Sequence, residues 1–115
     1  MNFLNLHQHT HFSLMDCIVR PEDLCKELAQ RKVSHVTVTD HGTLAGCYEI
    51  WKNARKNGII PILGCECYFV DDYESNVSKI PYNYGHVIVM ALNKTGWDNL
   101  KKIQLIAWEQ GYLRK

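Results

Sequence analysis

The strongest constraint on the fold is an alternation of strand-like and helix-like segments along almost the whole chain. Phe3 to Thr10 reads as a strand, with Phe3, Asn5, His7 and His9 on one face and Leu4 and Leu6 on the other. Pro21-Glu22-Asp23 opens a helix, because proline suits the first turn and acids suit its positive end. Leu24, Cys25, Leu28 and Ala29 give that helix an apolar stripe, which fades near Lys32. Ser34 to Thr39 is a β-branched strand. Leu44 to Asn57 reads as a helix with Cys47, Ile50, Trp51 and Ala54 inward, Lys52, Arg55 and Lys56 outward, and Gly58 as its stop.

Ile59 to Val70 is a strand region, and Asp71 to Tyr84 a polar loop without periodicity. His86 to Leu92 is near-continuously apolar, the pattern of a strand buried on both faces. After a turn at Asn93 to Gly96, Trp97 to Gln110 forms a last helix with Leu100, Ile103, Ile106 and Ala107 inward. Strands separated by helices predict an α/β fold, either a parallel sheet or a (β/α) barrel. A closed barrel takes about 250 residues. With 115 residues, this chain has room for about half of one.

Thirteen Lys+Arg against twelve Asp+Glu leave a net charge of +1, so overall charge gives no pull towards nucleic acid. The longest apolar runs, Ile59 to Leu63 and Val87 to Leu92, are far short of the ~20 residues of a membrane span. The start lacks the basic and then apolar pattern of a signal peptide. Five cysteines, an odd number without a secretory signal, suit a reduced cytoplasmic protein with small buried thiols. No membrane partner is expected.

The chemistry-bearing residues gather at the strand ends, where parallel α/β folds bind ligands. In Leu6-His7-Gln8-His9-Thr10-His11, alternation lets His7 and His9 offer two imidazoles to one ion. Clustered surface histidines are the plain alternative. Thr39-Asp40-His41-Gly42 offers an imidazole with a carboxylate that could orient a ligand, or simply an Asp-Gly turn. Glu66, within Gly64-Cys65-Glu66-Cys67-Tyr68, closes an apolar strand where a bare charge is costly and needs a cation. His86 opens the next apolar strand, where a satisfied core histidine is the plainer reading.

Taken in order, His7-x-His9, Ser13-Leu14-Met15-Asp16, Thr39-Asp40-His41-Gly42, Gly64-Cys65-Glu66 and Gly85-His86 resemble the PHP (polymerase and histidinol phosphatase) family. The stretches Leu6 to Asp16, Thr39 to Gly46, Gly58 to Glu66 and His86 to Leu100 are similar to the branch that opens the alpha subunits of bacterial replicative DNA polymerase III. The resemblance implies a distorted (β/α)7 barrel, of which residues 1–115 would be the N-terminal portion, a partial (β/α) barrel. It implies up to three divalent metal ions, zinc or manganese. His7, His9 and Glu66 would hold one. Glu66 would bridge to a second, held also by His86. Asp16 and His41 would serve the third, and Asp40 would lie just behind the ligands. His11 falls where the family varies. Cys17 stands where the polymerase branch usually has glycine, so the turn after Asp16 is expected to differ.

The family's remaining ligands and the polymerase palm, fingers and thumb have no counterpart here. The expected partners are therefore the rest of a polymerase polypeptide and, through it, DNA. Primer extension is not expected: Asp71-Asp72 lies outside the metal motifs, and nothing resembles a two-metal palm. Metal-dependent phosphoester hydrolysis, including proofreading, would belong to the complete domain. The competing readings are a stand-alone PHP phosphoesterase similar to histidinol phosphatase, and a non-catalytic structural module.

Overall fold

The computed structural model describes residues 3–69 and 85–111. The expected loop from Asp71 to Tyr84, with Asp71-Asp72, and the last four residues lie outside that range. The elements run α1 (Pro21–Gln30), β1 (His35–His41), α2 (Ala45–Lys56), β2 (Ile60–Phe69), β3 (Gly85–Met90) and α3 (Lys94–Ile106), which ends in a π-helical turn, Ala107–Gly111. This is a mixed α/β arrangement: three strands in one sheet, in the order β1-β2-β3, with three helices.

β1 and β2 pair in parallel, His35 opposite Ile60 through His41 opposite Glu66, as the βαβ pattern requires. β3 departs from the expected parallel sheet. It runs antiparallel to β2, with Glu66 opposite Ile88 and Tyr68 opposite His86. The sequence between these strands carries no helical periodicity, so it offers no signal for the crossover helix a parallel return would need. Nor is β3 buried on both faces: Gly85, His86 and Val87 are exposed, and Ile88 to Met90 half-buried. Among the described residues it is an edge strand.

The core lies between one sheet face and the two helices α1 and α2. Cys25, Val36, Val38, Cys47, Ile50, Ala54 and Ile59 are buried there, with Leu24, Leu28, Ala29, Leu44, Leu63 and Trp97 packed around them. Full burial of a side chain such as Ile50 contributes about 1.5–3 kcal/mol. Pro21 sits in the first turn of α1, with Glu22 and Asp23 beside it. α2 stops at Gly58, which takes the left-handed conformation, φ +70°.

Four inward expectations fail for one reason, a helix face without a neighbour among the described residues. Trp51 is exposed on the outer side of α2. Ile103, Ile106 and Ala107 are exposed on α3, where only Leu100 is buried. The expected turn at Asn93 to Gly96 is the start of α3 itself. The Asn93 side chain caps it by accepting a 2.9 Å hydrogen bond from the Gly96 amide. Phe3 to Thr10 forms no ladder strand. It lies beside β1 and shares one backbone–backbone hydrogen bond with it, the Thr39 amide donating to the Gln8 carbonyl at 2.8 Å.

Candidate metal centre

Glu66 is the middle of the site. It sits near the carboxyl end of the central strand, its residue only 5% exposed. The parallel register sets His41 beside it, and the antiparallel register puts His86 on the same face, two residues from its partner Ile88. The N-terminal segment supplies the rest. The Gln8 amide donates to Thr39 Oγ1 at 2.9 Å, which fixes the backbone between His7 and His9. Both imidazoles then point the same way. His7 Nε2 and His9 Nε2 are 3.0 Å apart, and they lie 3.1 and 2.7 Å from Glu66 Oε2.

The other carboxylate oxygen faces elsewhere: Glu66 Oε1 is 3.1 Å from His86 Nδ1. His41 Nδ1 lies 3.2 Å from Asp16 Oδ2 and 3.8 Å from Glu66 Oε2, and its ring is 4.6 Å from that of His86. Asp16 Oδ2 is also 3.7 Å from His9 Nδ1. All six sequence-predicted ligands therefore meet on one face of the sheet. Two three-residue groups have ligand atoms close enough for one ion each: His7, His9 and Glu66, and His41, Glu66 and His86. His41 stands with Glu66 and His86 as well as with Asp16.

The donor set suits a divalent metal. Three atoms bound about 2.0–2.1 Å from a tetrahedral ion lie about 3.3 Å apart. The 2.7–3.1 Å triangle of His7, His9 and Glu66 is slightly tighter than that. His41 Nε2 is buried without a hydrogen-bond partner, a lone pair or N–H that a bound group could satisfy. For the Glu66 carboxyl, burial pushes the pKa up. Its contacts with His7 and His9, and the charge of His41, outweigh that and hold it below the ordinary carboxylate range.

Asp40 is fully buried, and strand alternation turns it to the face of β1 opposite His41. It organises the loop that carries Asp16. The Thr10 amide donates to Asp40 Oδ1 at 2.6 Å, and the Thr10 and Ser13 hydroxyls donate as well. Ser13 Oγ then accepts the His41 amide at 2.7 Å. Gly46, in the first turn of α2, makes room for this cluster: a Cβ there would overlap Asp40 Oδ2. The start of that helix also favours a carboxylate. Gly42, φ +64°, turns the chain from His41 towards α2.

Sequence reasoning missed Thr10, Ser13, Gly46 and Tyr68. The first three lie inside the family-like stretches, and small hydroxyl residues flanking a ligand loop were the available signal. Tyr68 sets its ring 4.8 Å from His41 and 5.1 Å from His86, and strand alternation from Glu66 would have placed it on the site face. Cys17 takes part in the turn after Asp16. Its thiol donates to the His9 carbonyl at 3.2 Å and accepts the Val19 amide, tying the turn to the backbone of His9. Cys65 and Cys67 alternate with Glu66 on β2, and Cys65 is buried against the Asp40 carbonyl. All five cysteines are free, three of them buried.

A sheet with four histidines and two carboxylates converging on one face defines a class of α/β proteins with a histidine-rich candidate metal site. The pattern of the PHP domain matches residues 5–115, and the chain belongs to the PHP domain family. Among curated proteins it is similar to DNA polymerase III subunit alpha of Borreliella burgdorferi, 33% identical over 96% of this chain and 10% of that protein. It is similar to the same subunit of Aquifex aeolicus, 33% identical over 99% of this chain and 10% of that protein. The Thermus aquaticus subunit is 32% identical over all of this chain and 10% of that protein. The chain thus spans about a tenth of the length of these relatives. No helix among the described residues is long and apolar enough to cross a membrane.

Proposed function

We propose that this chain is the N-terminal portion of a PHP domain in a DNA polymerase III alpha-type polypeptide, carrying part of a divalent-metal phosphoesterase centre. The observation that carries the metal reading is the two-sided carboxylate of Glu66, one oxygen on His7 and His9 and the other on His86. That arrangement suits a carboxylate that bridges two ions, as zinc or manganese sites use. His7, His9 and Glu66 are the residues to hold the first ion. Glu66, His86 and His41 serve a second, and Asp16 with His41 a third.

Bound divalent ions supply phosphoryl polarisation and an acidified water. The chain's own residues position that chemistry. Thr39 sets the spacing of His7 and His9 through Gln8, while Asp40, Thr10 and Ser13 hold Asp16 and the His41 backbone. The partners proposed are the rest of the polymerase polypeptide and DNA. The exposed apolar side chains of α3, Ile103, Leu105, Ile106 and Trp108, support further polypeptide packing there. With six ligands shared among up to three ions, 3′-end hydrolysis by this chain alone is expected near background.

Zinc titration by calorimetry tests the reading. It predicts close to one tight equivalent, lost in His9→Ala and Glu66→Ala and unaffected by His11→Ala. Equal binding by Glu66→Ala, or three tight equivalents with robust release of nucleotides from a DNA 3′ end, contradicts it.

A further inference from the structure

The net charge of +1 conceals an uneven surface. α2 buries Gly46, Cys47, Ile50, Asn53 and Ala54 and turns Tyr48, Trp51, Lys52, Arg55 and Lys56 outward. At about 100° per residue the outward five share one side of the helix. The Tyr48 and Trp51 rings are stacked at 6.2 Å and 26°, and the Arg55 guanidinium lies 5.5 Å over the Trp51 ring. Beside this ladder opens a cleft of about 420 Å³, walled by His11, Phe12, Arg20, Lys52 and Lys56 among others. The His11 and Phe12 rings pack together at 4.3 Å.

Two acids also line the cleft. Glu22 pairs with Lys26 at 2.9 Å and feels the charges of Lys56 and Arg20, and Glu49 lies 4.0 Å from Lys52. Among the described residues, Arg20, Arg55 and Lys56 have no carboxylate within ion-pair distance. An apolar helix docking here would bury those charges unpaired, which is costly. An acidic peptide would use the cations and leave the stacked rings without a purpose. A chain of phosphates carrying flat bases uses both.

We propose that the outer face of α2, with Arg20 and the Phe12–His11 pair across the cleft, binds a single strand of nucleic acid. Arg20, Arg55 and Lys56 take phosphates, and Tyr48 extends its stack with Trp51 by one base. None of these residues is a proposed metal ligand, so the surface stands apart from the metal reading. It also gives a role to His11, the member of the His7 to His11 run that joins neither metal group.

The test is fluorescence anisotropy with a short labelled oligothymidylate and the full chain, in EDTA, at several salt concentrations. Saturable binding is expected, with log K falling against log salt at a slope of about −2 for three phosphate contacts. Arg55→Ala/Lys56→Ala weakens binding about tenfold and flattens the slope by about 1.4. Tyr48→Ala weakens it roughly five- to hundredfold with the slope unchanged. Lys102→Ala on α3 leaves affinity unaltered, and circular dichroism of these exposed variants stays native. Absence of saturable binding, or equal affinity in the double variant, overturns the proposal. Tyr48→Ala that shifts the oligomeric state by light scattering without changing affinity assigns the face to a protein contact instead. Because EDTA is present throughout, failure here leaves the metal reading standing.

Discussion

At the scale of single residues, the candidate site is framed by groups outside its six converging side chains. Gly46 is the sharpest case. A methyl there overlaps Asp40 Oδ2 and comes within 2.9 Å of Thr10 Oγ1, so the cluster that holds the Asp16 loop must shift. Gly46→Ala is expected to destabilise the fold by about 1–3 kcal/mol and to weaken zinc binding although every ligand remains. Gly85→Ala, where an added Cβ meets nothing within 4 Å, is the control in the same thermal and calorimetric measurements. Unchanged zinc affinity in Gly46→Ala would remove Asp40 and its partners from the account. Glu66 makes a second prediction. Its folded pKa lies below the ordinary 4.5, so its contribution to stability is present above the unfolded value and is lost as pH falls through the folded one. In EDTA, the melting temperature of the wild type should drop more steeply than that of Glu66→Gln below about pH 4.5. Parallel curves would show that the histidines do not stabilise the carboxylate.

At the scale of elements, α1 ends without the glycine its geometry favours. Lys32 takes the left-handed conformation, φ +58°, while its amide donates to the Ala29 carbonyl. The side chain is exposed, so Lys32→Gly removes strain and no packing. The gain is offset in part by a more flexible unfolded chain, and a net stabilisation of about 0.5 kcal/mol is expected in thermal melts. A lower melting temperature would contradict this. Elements built from local periodicity were legible in the sequence: α1, β1, α2 and β2 lie within a few residues of where apolar spacing, Pro21 and Gly58 place them. The direction of β3 was not, because an apolar run reads the same whichever way it pairs. Trp51, Ile103 and Ile106 looked inward because spacing tells which residues share a face, and not whether a neighbour covers it. The convergence of His7, His9, Asp16, His41, Glu66 and His86 was anticipated through family resemblance. Alternation alone explains His7 with His9, and a register must be known before Glu66 meets His86.

At the scale of the whole molecule, one sheet face is a core and the other a site. Val36, Val38 and Leu63 point to the helices, while Thr39, His41 and Glu66 alternate to the far side. A metal held there ties the N-terminal segment, which has no ladder of its own, to β1, β2 and β3 at once. Zinc at about a hundredfold above its dissociation constant should therefore stabilise the fold by roughly 2.7 kcal/mol. The site also competes with the cysteines for a soft metal, since Cys65 and Cys67 flank Glu66 on the same strand. X-ray absorption at the zinc edge, on the chain loaded with one equivalent, separates these possibilities most directly. The account predicts a first shell of nitrogen and oxygen only, at about 2.0–2.1 Å, with the outer scattering of two imidazoles. A sulfur scatterer at about 2.3 Å, or a shell of water without imidazole, would contradict the assignment of His7, His9 and Glu66 as the metal centre.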